Sequence, residues 1–285
     1  LAPLHNPANL KGIQAVEKIL PGVPQVAVFD TSFHQTMPEH AYMYAIPYEY
    51  YEKYKIRKYG YHGTSHKFVA QKAAKLLGKD ITELKIITCH LGNGSSVAAI
   101  KHGASIDTSM GFTPVDGLIM GTRSGDIDPG VLIYLADKEH MNLTGISNMI
   151  NKKSGVAGIS QISSDMRDLE NAYYEGNQKA ALALKMFAYR VKKYIGAYTA
   201  AMNGLDVLIF TGGVGENDFN IRKMICTEME YLGIVFDEQV NQGAKGKDIR
   251  LSGPESEVVV MAVTTDEEFV IASDTRYIVE KQTVR

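Results

Sequence analysis

Two glycine-rich segments each follow an apolar run, an arrangement that is typical of a phosphate-binding loop. The first is HLGNGSS over residues 90–96, and the second is TGGVGEN over residues 211–217. Glycine allows positive φ and close approach of the backbone to a ligand, and amides at the start of a helix attract anions. A tight turn without a ligand explains either segment alone equally well. Two such segments together favour a shared anionic ligand.

Three further residues have types and surroundings suited to a polar active site. Arg123 lies among small residues in GTRSGD, and its planar guanidinium can bind an oxyanion through two hydrogen bonds. His62 lies in YHGTSH, just before a predicted helix. Asp30 ends an apolar run, a common place for a site residue in α/β proteins. For each of the three, a purely structural or solvated role is the alternative.

The periodicity of the chain predicts an α/β protein in which strands alternate with helices. Apolar runs predict strands over residues 25–30, 85–90, 97–100, 207–210 and 258–264. Helical spacing predicts helices over residues 9–20, 65–77, 130–139, 144–152, 163–174, 178–203 and 265–280. Thr64 or Ser65 is the expected cap of the second helix. A helix after the second glycine segment is expected to end near residues 232–233, and residues 237–254 are expected to form a surface excursion.

The composition excludes several classes of protein. Apolar residues make up 45% and charged residues 22% of the 285 residues, as in ordinary globular proteins. The formal net charge of -2 gives no sign of a general nucleic-acid binder, and no apolar run approaches the ~20 residues of a membrane span. Cys89 and Cys226 have no metal-type spacing, which fits a reducing cytoplasm. The opening LAPLHNP has no initiator Met and no signal-peptide pattern, so we expect the middle of a longer protein.

Eight motifs together resemble the acetate kinase family, which includes propionate and butyrate kinases. In the family's order they are LAPLHNP, VFDTSFH, YGYHGTSH, HLGNGSS, GTRSGDIDPG, SSDMRDLE, FTGGVGEN and TDEE. The resemblance implies the α/β, sugar-kinase/actin-like ATPase (ribonuclease-H-like) fold, with mixed sheets flanked by helices and the nucleotide between two domains. It also implies a truncated first domain, because the family's N-terminal phosphate loop, with its metal-binding Asn, and a substrate-binding Arg lie outside these 285 residues.

The resemblance assigns roles to residues through their motifs. It implies that Asp30, His62 and Arg123 are catalytic, that His5 binds the substrate, and that Glu267 binds the metal ion. From its position alone, Glu267 is a partner of the helix dipole. The nucleotide-binding residues that it implies are His90, Leu91, Gly92, Asn93, Gly94, Asp165, Met166, Arg167, Gly213, Val214, Gly215, Glu216 and Asn217.

The reaction implied by the family is reversible phosphoryl transfer from ATP to acetate, which gives acetyl phosphate and ADP and uses Mg²⁺ or Mn²⁺. A homodimer is expected as well, and neither nucleic acid nor a membrane is an expected partner. The implied organisation is a remnant of the first domain (1–34), a nucleotide-binding domain (35–267) and a terminal helix returning to the first domain (268–285). A catalytically incomplete nucleotide-binding fragment and a propionate or butyrate kinase remain as alternatives.

Overall fold

A mixed sheet forms the centre of the computed structural model, which describes residues 6–283. In this part of the chain the sheet has six strands, in the order β3-β2-β1-β4-β6-β5. The strands are β1 (Lys85–Leu91), β2 (Ser95–Lys101), β3 (Ala104–Thr108), β4 (Val207–Thr211), β5 (Ile249–Arg250) and β6 (Val259–Ala262). Strand β4 pairs in parallel with β1 and with β6, and the outer pairs are antiparallel.

Helices cover both faces of this sheet. They are α1 (Asn6–Ile19), α2 (Glu39–Tyr42), α3 (Glu49–Tyr54), α4 (Gly63–Leu76), α5 (Pro129–Lys138), α6 (Leu143–Lys152), α7 (Gly155–Ser160), α8 (Met166–Tyr174), α9 (Gln178–Met202), α10 (Gly212–Asn217), α11 (Phe219–Cys226), α12 (Glu238–Gly243) and α13 (Glu267–Thr283). Short 3₁₀ turns occupy Ser32–Thr36, Ile81–Glu83 and Glu230–Leu232. None of the helices in residues 6–283 combines the length and apolar character needed to cross a membrane.

Two apolar clusters lie on opposite faces of the sheet, because successive side chains of a strand point to opposite sides. Ile87 of β1 belongs to the larger cluster, which includes the buried stripe of α9. Ile86 belongs to the smaller cluster, which includes residues of α4. The same alternation puts Thr88 and His90 on the α4 side of the sheet, where both side chains bond to residues of α4. The contact between the sheet and α4 is therefore apolar around Ile86 and becomes polar at Thr88 and His90, towards the end of β1.

Most of the predicted elements are present, with ends that differ by at most three residues. The longest helix, α9, buries the apolar stripe that its spacing predicted. Its members are Ala180, Leu184, Phe187, Val191, Ile195, Tyr198 and Met202. The hairpin from β1 to β2 also agrees with the sequence, and the structure adds β3, which the pattern did not predict.

Two predictions, for residues 25–30 and 237–254, are wrong. Residues 25–29 form no strand in the described part of the chain, and Phe29 is 67% exposed. An apolar run becomes a strand only when a neighbouring strand satisfies its backbone hydrogen bonds. Residues 237–254 are not a surface excursion, because they supply α12 and β5 and bury Leu251 completely.

The second glycine segment is also not a simple turn. Its residues form the short helix α10, and a new helix, α11, begins directly after it. Asp218 caps α11 by accepting a hydrogen bond from the Ile221 N–H at 2.9 Å. Helix α11 ends at Cys226 rather than near residues 232–233, because Thr227 is extended, with ψ 136°, and Glu228 is left-handed, with φ 60°.

Candidate active site

Asp30 organises the N-terminus of α4, which lies at the centre of the site. Its carboxylate accepts hydrogen bonds from the backbone N–H groups of His62 at 2.8 Å and Thr64 at 3.4 Å. Its carbonyl oxygen accepts a third from the Gly63 N–H at 2.8 Å. These bonds satisfy amides that lack partners within the helix. The expected caps, Thr64 or Ser65, are therefore wrong: His62 occupies the cap position with φ 56°, and a carboxylate distant in sequence does the capping.

Three histidines meet between α4 and the end of β1. His62, Ser65 and His66 lie on one side of α4 because residues three and four apart share a helix face. The His90 ring stacks on the His62 ring, with 4.2 Å between the ring centroids. Its Nδ1 atom bonds to the Ser65 hydroxyl at 2.8 Å, and that hydroxyl bonds to the Thr265 hydroxyl at 2.9 Å. The histidines are therefore held in fixed orientations.

A chain of side-chain hydrogen bonds runs from β1 to His62. Thr88 Oγ1 bonds to His66 Nδ1 at 2.6 Å, His66 Nε2 bonds to Ser96 Oγ at 2.7 Å, and Ser96 Oγ bonds to His62 Nδ1 at 2.9 Å. The Ser96 hydroxyl has one hydrogen, so it donates to one ring and accepts from the other. The tautomer of His62 is consequently tied to that of His66. We call Thr88, His66, Ser96 and His62 the histidine chain.

The buried histidines are neutral at pH 7. Burial, assisted by the charge of Arg123, lowers the pKa of His62 to about 4. Burial and the neighbouring His62 lower the pKa of His90 to about 3, and burial lowers the pKa of His34 to about 4. The pKa of His66 also falls well below its ordinary value because this side chain is fully enclosed. Each ring therefore has one N–H donor and one acceptor nitrogen.

Arg123 approaches the same point as His62. A Cβ atom added to Gly94 would lie 3.4 Å from Arg123 Nη1 and 3.6 Å from His62 Nε2. The guanidinium bonds only weakly to its surroundings, at 3.5 Å to the Pro114 carbonyl and 3.7 Å to the Met120 sulfur. No carboxylate in residues 6–283 forms an ion pair with it. Arg123 thus presents an uncompensated positive charge beside a neutral imidazole.

Two carboxylates of the site, Asp30 and Glu267, lie close enough to interact. Burial, and then the nearby charge of Asp30, raises the pKa of Glu267 at the start of α13. A pair of like charges in a partly buried position favours a cation between them. Within the described residues, no three or more His, Cys, Asp or Glu side chains are grouped to hold a metal by themselves. Magnesium is, however, usually held by one or two carboxylates together with the phosphates of a substrate.

The two glycine segments meet because β1 and β4 are parallel and end at the same edge of the sheet. Gly212 has φ 77°, and a Cβ atom there would lie 2.8 Å from the Leu91 carbonyl oxygen. Glu216 Oε1 accepts hydrogen bonds from the N–H groups of Gly212 at 3.1 Å and Thr265 at 3.0 Å. Around Gly213 the space is open, with nothing within 4 Å of an added Cβ atom. The backbone there is accessible to a ligand.

The remaining predicted residues have different surroundings. Asp165 caps α8 and binds the Arg167 side chain at 2.6 Å, and the structure shows no hydrogen bond between this turn and the histidines of the described chain. The side chains of Leu91 and Met166 belong to the larger apolar cluster, so only their backbones can contact a ligand. His5 lies outside the described residues.

Sequence reasoning missed the supporting residues of the site. The sequence analysis gives no role to His66, Thr88 and Ser96, and it considers Ser65 only as a helix cap. One signal was available for His66, which lies four residues after His62 and therefore on the same helix face. The roles of Thr88 and Ser96 depend on contacts between separate elements, which spacing does not reveal.

The neutral histidines predict acid-sensitive stability. Their pKa values are lower in the folded than in the unfolded state, so the unfolded chain binds more protons and stability falls as pH drops from about 6.5 towards 4. Replacing His34, which is fully buried, by Gln removes one such group. The slope of the unfolding free energy against pH is proportional to the number of protons taken up on unfolding. We expect His34→Gln to reduce that number by about one near pH 5.

Urea unfolding between pH 5 and pH 8 measures this dependence. The matched control is His40→Gln, a substitution at an exposed position of α2, which should leave the slope unchanged. Equal slopes for the wild type and His34→Gln would contradict the burial of a neutral ring at this position.

Comparisons with known proteins match this architecture over nearly the whole chain. The model of the Acetokinase family matches residues 1–273. An acetate kinase of Porphyromonas gingivalis is 59% identical over 280 residues, which are 98% of this chain and 70% of that protein. An acetate kinase of Caldicellulosiruptor saccharolyticus is 61% identical over 281 residues, with the same shares of both chains.

Solved structures lead to the same family. The crystal structure of Porphyromonas gingivalis acetate kinase superposes with a TM-score of 0.95 at 59% identity and covers 98% of this chain and 70% of that chain. A propionate kinase from Francisella tularensis subsp. tularensis has a TM-score of 0.91 at 47% identity, over 97% and 70% of the two chains. The predicted actin-like ATPase-type fold is confirmed. By the extent of the family match and the agreement of the folds, this chain belongs to the Acetokinase family.

Proposed function

We propose that this chain acts as an acetate kinase, which transfers a phosphoryl group reversibly from ATP to acetate. The observation that carries the proposal is the convergence of Arg123 and neutral His62 on Gly94, next to two glycine segments at one edge of the sheet. An uncompensated guanidinium beside an N–H donor suits a phosphoryl group in transit. The 59–61% identity to acetate kinases supports acetate over the related propionate kinase at 47%.

Arg123 and His62 act on the charge of the transferring phosphoryl group. Phosphoryl transfer is mostly positioning and charge stabilisation, because the charge spreads over three equatorial oxygens. Arg123 binds two of these oxygens through its planar donor fork. His62 donates a hydrogen bond to the third without adding a second positive charge. The His62 ring is held before the reaction by its bond to Ser96 and its stacking on His90, which limits the cost of reorganisation.

The histidine chain sets the proton of His62 on the atom that faces the phosphoryl group. Thr88 donates to His66 Nδ1, His66 Nε2–H donates to Ser96, and Ser96 donates to His62 Nδ1. This direction leaves the hydrogen on His62 Nε2, the atom on the Gly94 side of the ring. The reverse direction would present a lone pair to an anion, which is repulsive.

Asp30 and Glu267 are the residues that would hold a magnesium ion. Their paired charges in a partly buried position suit a divalent cation, which when bound neutralises charge on the nucleotide phosphates. Asp30 has a second role, because its bonds to the His62 and Thr64 amides orient the first turn of α4. A role as general base is unnecessary: acetate is already ionised at pH 7, given a carboxyl pKa of ~4.

The nucleotide lies along the two glycine segments in this proposal. Backbone amides of residues 92–94 and 213–215 donate to its phosphates, and the open space at Gly213 supports this placement. The side chains of Asn93 and Asn217 supply polar contacts. Asp165, Met166 and Arg167 form a further contact from the exposed start of α8.

The wider organisation follows the family pattern in this proposal. The six strands of the described chain all lie within residues 85–262, which supports a nucleotide-binding domain over 35–267. Residues 1–34 and 268–285 then belong with the other wall of the cleft. Ile133 and Leu143 are 73% and 90% exposed, which supports a homodimer contact near α5 and α6. Two buried free cysteines support a reducing, cytoplasmic location.

Substitution of Arg123 tests the function directly. We expect Arg123→Ala in the full-length protein to lower kcat by about 10²-fold or more, with a smaller change in KM, because the lost charge acts mainly on the transition state. A hydroxamate assay for acetyl phosphate measures both constants. Arg276→Ala is the matched control, since Arg276 is exposed on α13. A change confined to KM would contradict the proposed role of Arg123 in stabilising the transition state.

Substitution of Glu267 tests the cation site without an activity measurement. We expect Glu267→Gln to raise Tm in the absence of Mg²⁺, because it removes repulsion with Asp30. It should also reduce the increase in Tm that Mg²⁺ and ADP produce, because binding to the folded state alone stabilises it. Glu268→Gln, on the exposed next residue, should behave as the wild type. An equal Mg²⁺ response in Glu267→Gln would exclude Glu267 as a ligand.

Substitution of Ser96 tests the direction of the histidine chain. In the wild type, ¹⁵N NMR of the His62 ring should show the hydrogen on Nε2. Ser96→Ala removes the donor to Nδ1, so both tautomers should be populated, and kcat should fall about fivefold for the loss of a hydrogen bond worth ~1 kcal/mol. Ser160→Ala, a buried serine whose hydroxyl accepts from the Ile162 N–H, is the control. A hydrogen on Nδ1 in the wild type would reverse the proposed direction.

A further inference from the structure

The loop that carries Arg123 is closed at its base by a pair of reciprocal hydrogen bonds. The Gly117 N–H donates to Asp126 Oδ1 at 2.7 Å, and the Asp126 N–H donates to the Gly117 carbonyl at 3.0 Å. Gly117 and Gly125 have φ values of 95° and 66°, and a Cβ atom on either would collide with neighbouring backbone. Residues 117–126 therefore form a tightly closed loop whose two ends move together.

Helix α9 holds the base of this loop. Arg190 Nη1 donates to the Gly117 carbonyl at 2.9 Å and to the Asp126 carbonyl at 3.4 Å, and it pairs with Asp126 Oδ2 at 3.3 Å. Tyr194 donates its hydroxyl to the same Asp126 Oδ2 at 2.8 Å. Arg190 and Tyr194 are four residues apart, so they project from one face of α9. Two side chains of one helix thus bond to both ends of the loop.

Helix α9 is itself held firmly in place, so it can fix the position of the loop. Nine of its 25 residues are buried, and eight of them, all except Ala180, belong to the larger apolar cluster beneath the sheet. Burial and the charge of Asp126 raise the pKa of Tyr194, so its hydroxyl stays protonated and remains a donor. The side chain of Arg190 is 22% exposed, which makes its bonds less screened than those of a surface pair.

The far side of the loop contacts the first glycine segment. The Gly121 N–H donates to the Asn93 carbonyl at 3.0 Å, and the Met120 N–H donates to the Arg123 carbonyl at 3.1 Å. Beside Arg123, the Ser124 N–H donates to the Ile150 carbonyl at 3.0 Å and the Thr122 hydroxyl donates to the Asn151 carbonyl at 2.9 Å. These bonds, the contact with Asn93 and the base held by α9 together determine where the Arg123 guanidinium lies. Because the guanidinium itself has only its weak contacts to Pro114 and Met120, its position depends on how the loop is held.

We propose that Arg190, Asp126 and Tyr194 form a latch that positions Arg123 for the transfer step. They are positioning residues, because they bond to the base of the loop rather than to the site around Gly94. The inference rests on the proposed function, in which Arg123 stabilises the phosphoryl group. It explains why an ion pair and a tyrosine hydroxyl converge on the ends of a loop that carries an uncompensated cation.

A thermodynamic cycle with Arg123→Ala tests the latch in the full-length protein. We expect Arg190→Met to lower kcat about 10- to 100-fold, with KM for ATP nearly unchanged, because small displacements of a catalytic group cost this much. Tyr194→Phe, which removes one hydrogen bond and keeps the ring, should lower kcat about threefold to fivefold. In the Arg123→Ala background both substitutions should lower kcat by less than about twofold, because coupled residues are non-additive.

The matched controls lie on the exposed side of the same helix. Lys185→Met removes a cation and Tyr189→Phe removes a hydroxyl at exposed positions, and both should leave kcat at the value of the background, wild type or Arg123→Ala. Arg190→Lys should retain more activity than Arg190→Met, because an ammonium can still reach one of the acceptors. Tyr194→Phe decides the outcome alone if Arg190→Met does not fold.

Three results separate the latch from the function on which it rests. Equal losses in the wild-type and Arg123→Ala backgrounds would overturn the latch and leave the role of Arg123 intact. Unchanged kcat in Tyr194→Phe and Arg190→Met would overturn the latch as well. A normal kcat in Arg123→Ala alone would overturn the role of Arg123, and the latch would then have no catalytic group to position.

Discussion

The parallel pairing of β1 with β4 is the constraint on which the site depends. Its register aligns His90 with Thr211, so the two glycine segments leave the sheet at the same edge and at the same height. Gly212 then packs directly against the backbone of Leu91, a contact that a Cβ atom would crowd. A ligand can be held by both segments only because this pairing brings them together. A shift of one residue would also turn His90 from the α4 side to the larger apolar cluster.

The polar interior next to this edge is stable because nearly every buried group has a partner. His66 uses both ring nitrogens, His34 bonds to Ser105 and to the Tyr61 carbonyl, and Ser96 serves two histidines. Neutral rings avoid the cost of burying charge, and the hydrogen bonds offset the loss of water. Arg123 differs from these histidines, because its charged guanidinium has only long contacts. In an otherwise well-satisfied interior, an unsatisfied cation is expected where a ligand supplies the missing partner.

The sequence predicts the helices and strands well, but it predicts the hydrogen bonds between separate elements poorly. The stripe of α9 and the strands β1 and β4 follow from periodicity, because burial on one or both faces leaves a local pattern. The capping of α4 by Asp30 does not, since it joins residues 32 positions apart and displaces the local candidates Thr64 and Ser65. The failed strand at residues 25–29 has the same origin, because an apolar run does not say whether a partner strand is present. The motif residues Asp30, His62, Gly94 and Arg123 were predictable, but their convergence required the fold.

The division of charge in the site suits a reaction that runs in both directions. Among the described residues, one cation, Arg123, and one neutral donor, His62, face the same point at Gly94. A second cation at His62 would hold any phosphate more tightly, in the substrates as well as in the transition state. Uniformly tight binding does not raise kcat. Burial keeps His62 uncharged. In the proposed function, a hydrogen bond from Ser96 keeps its remaining hydrogen directed at the anion. In the proposed function, the low pKa of this histidine is therefore part of how the site discriminates between bound and transferring phosphate.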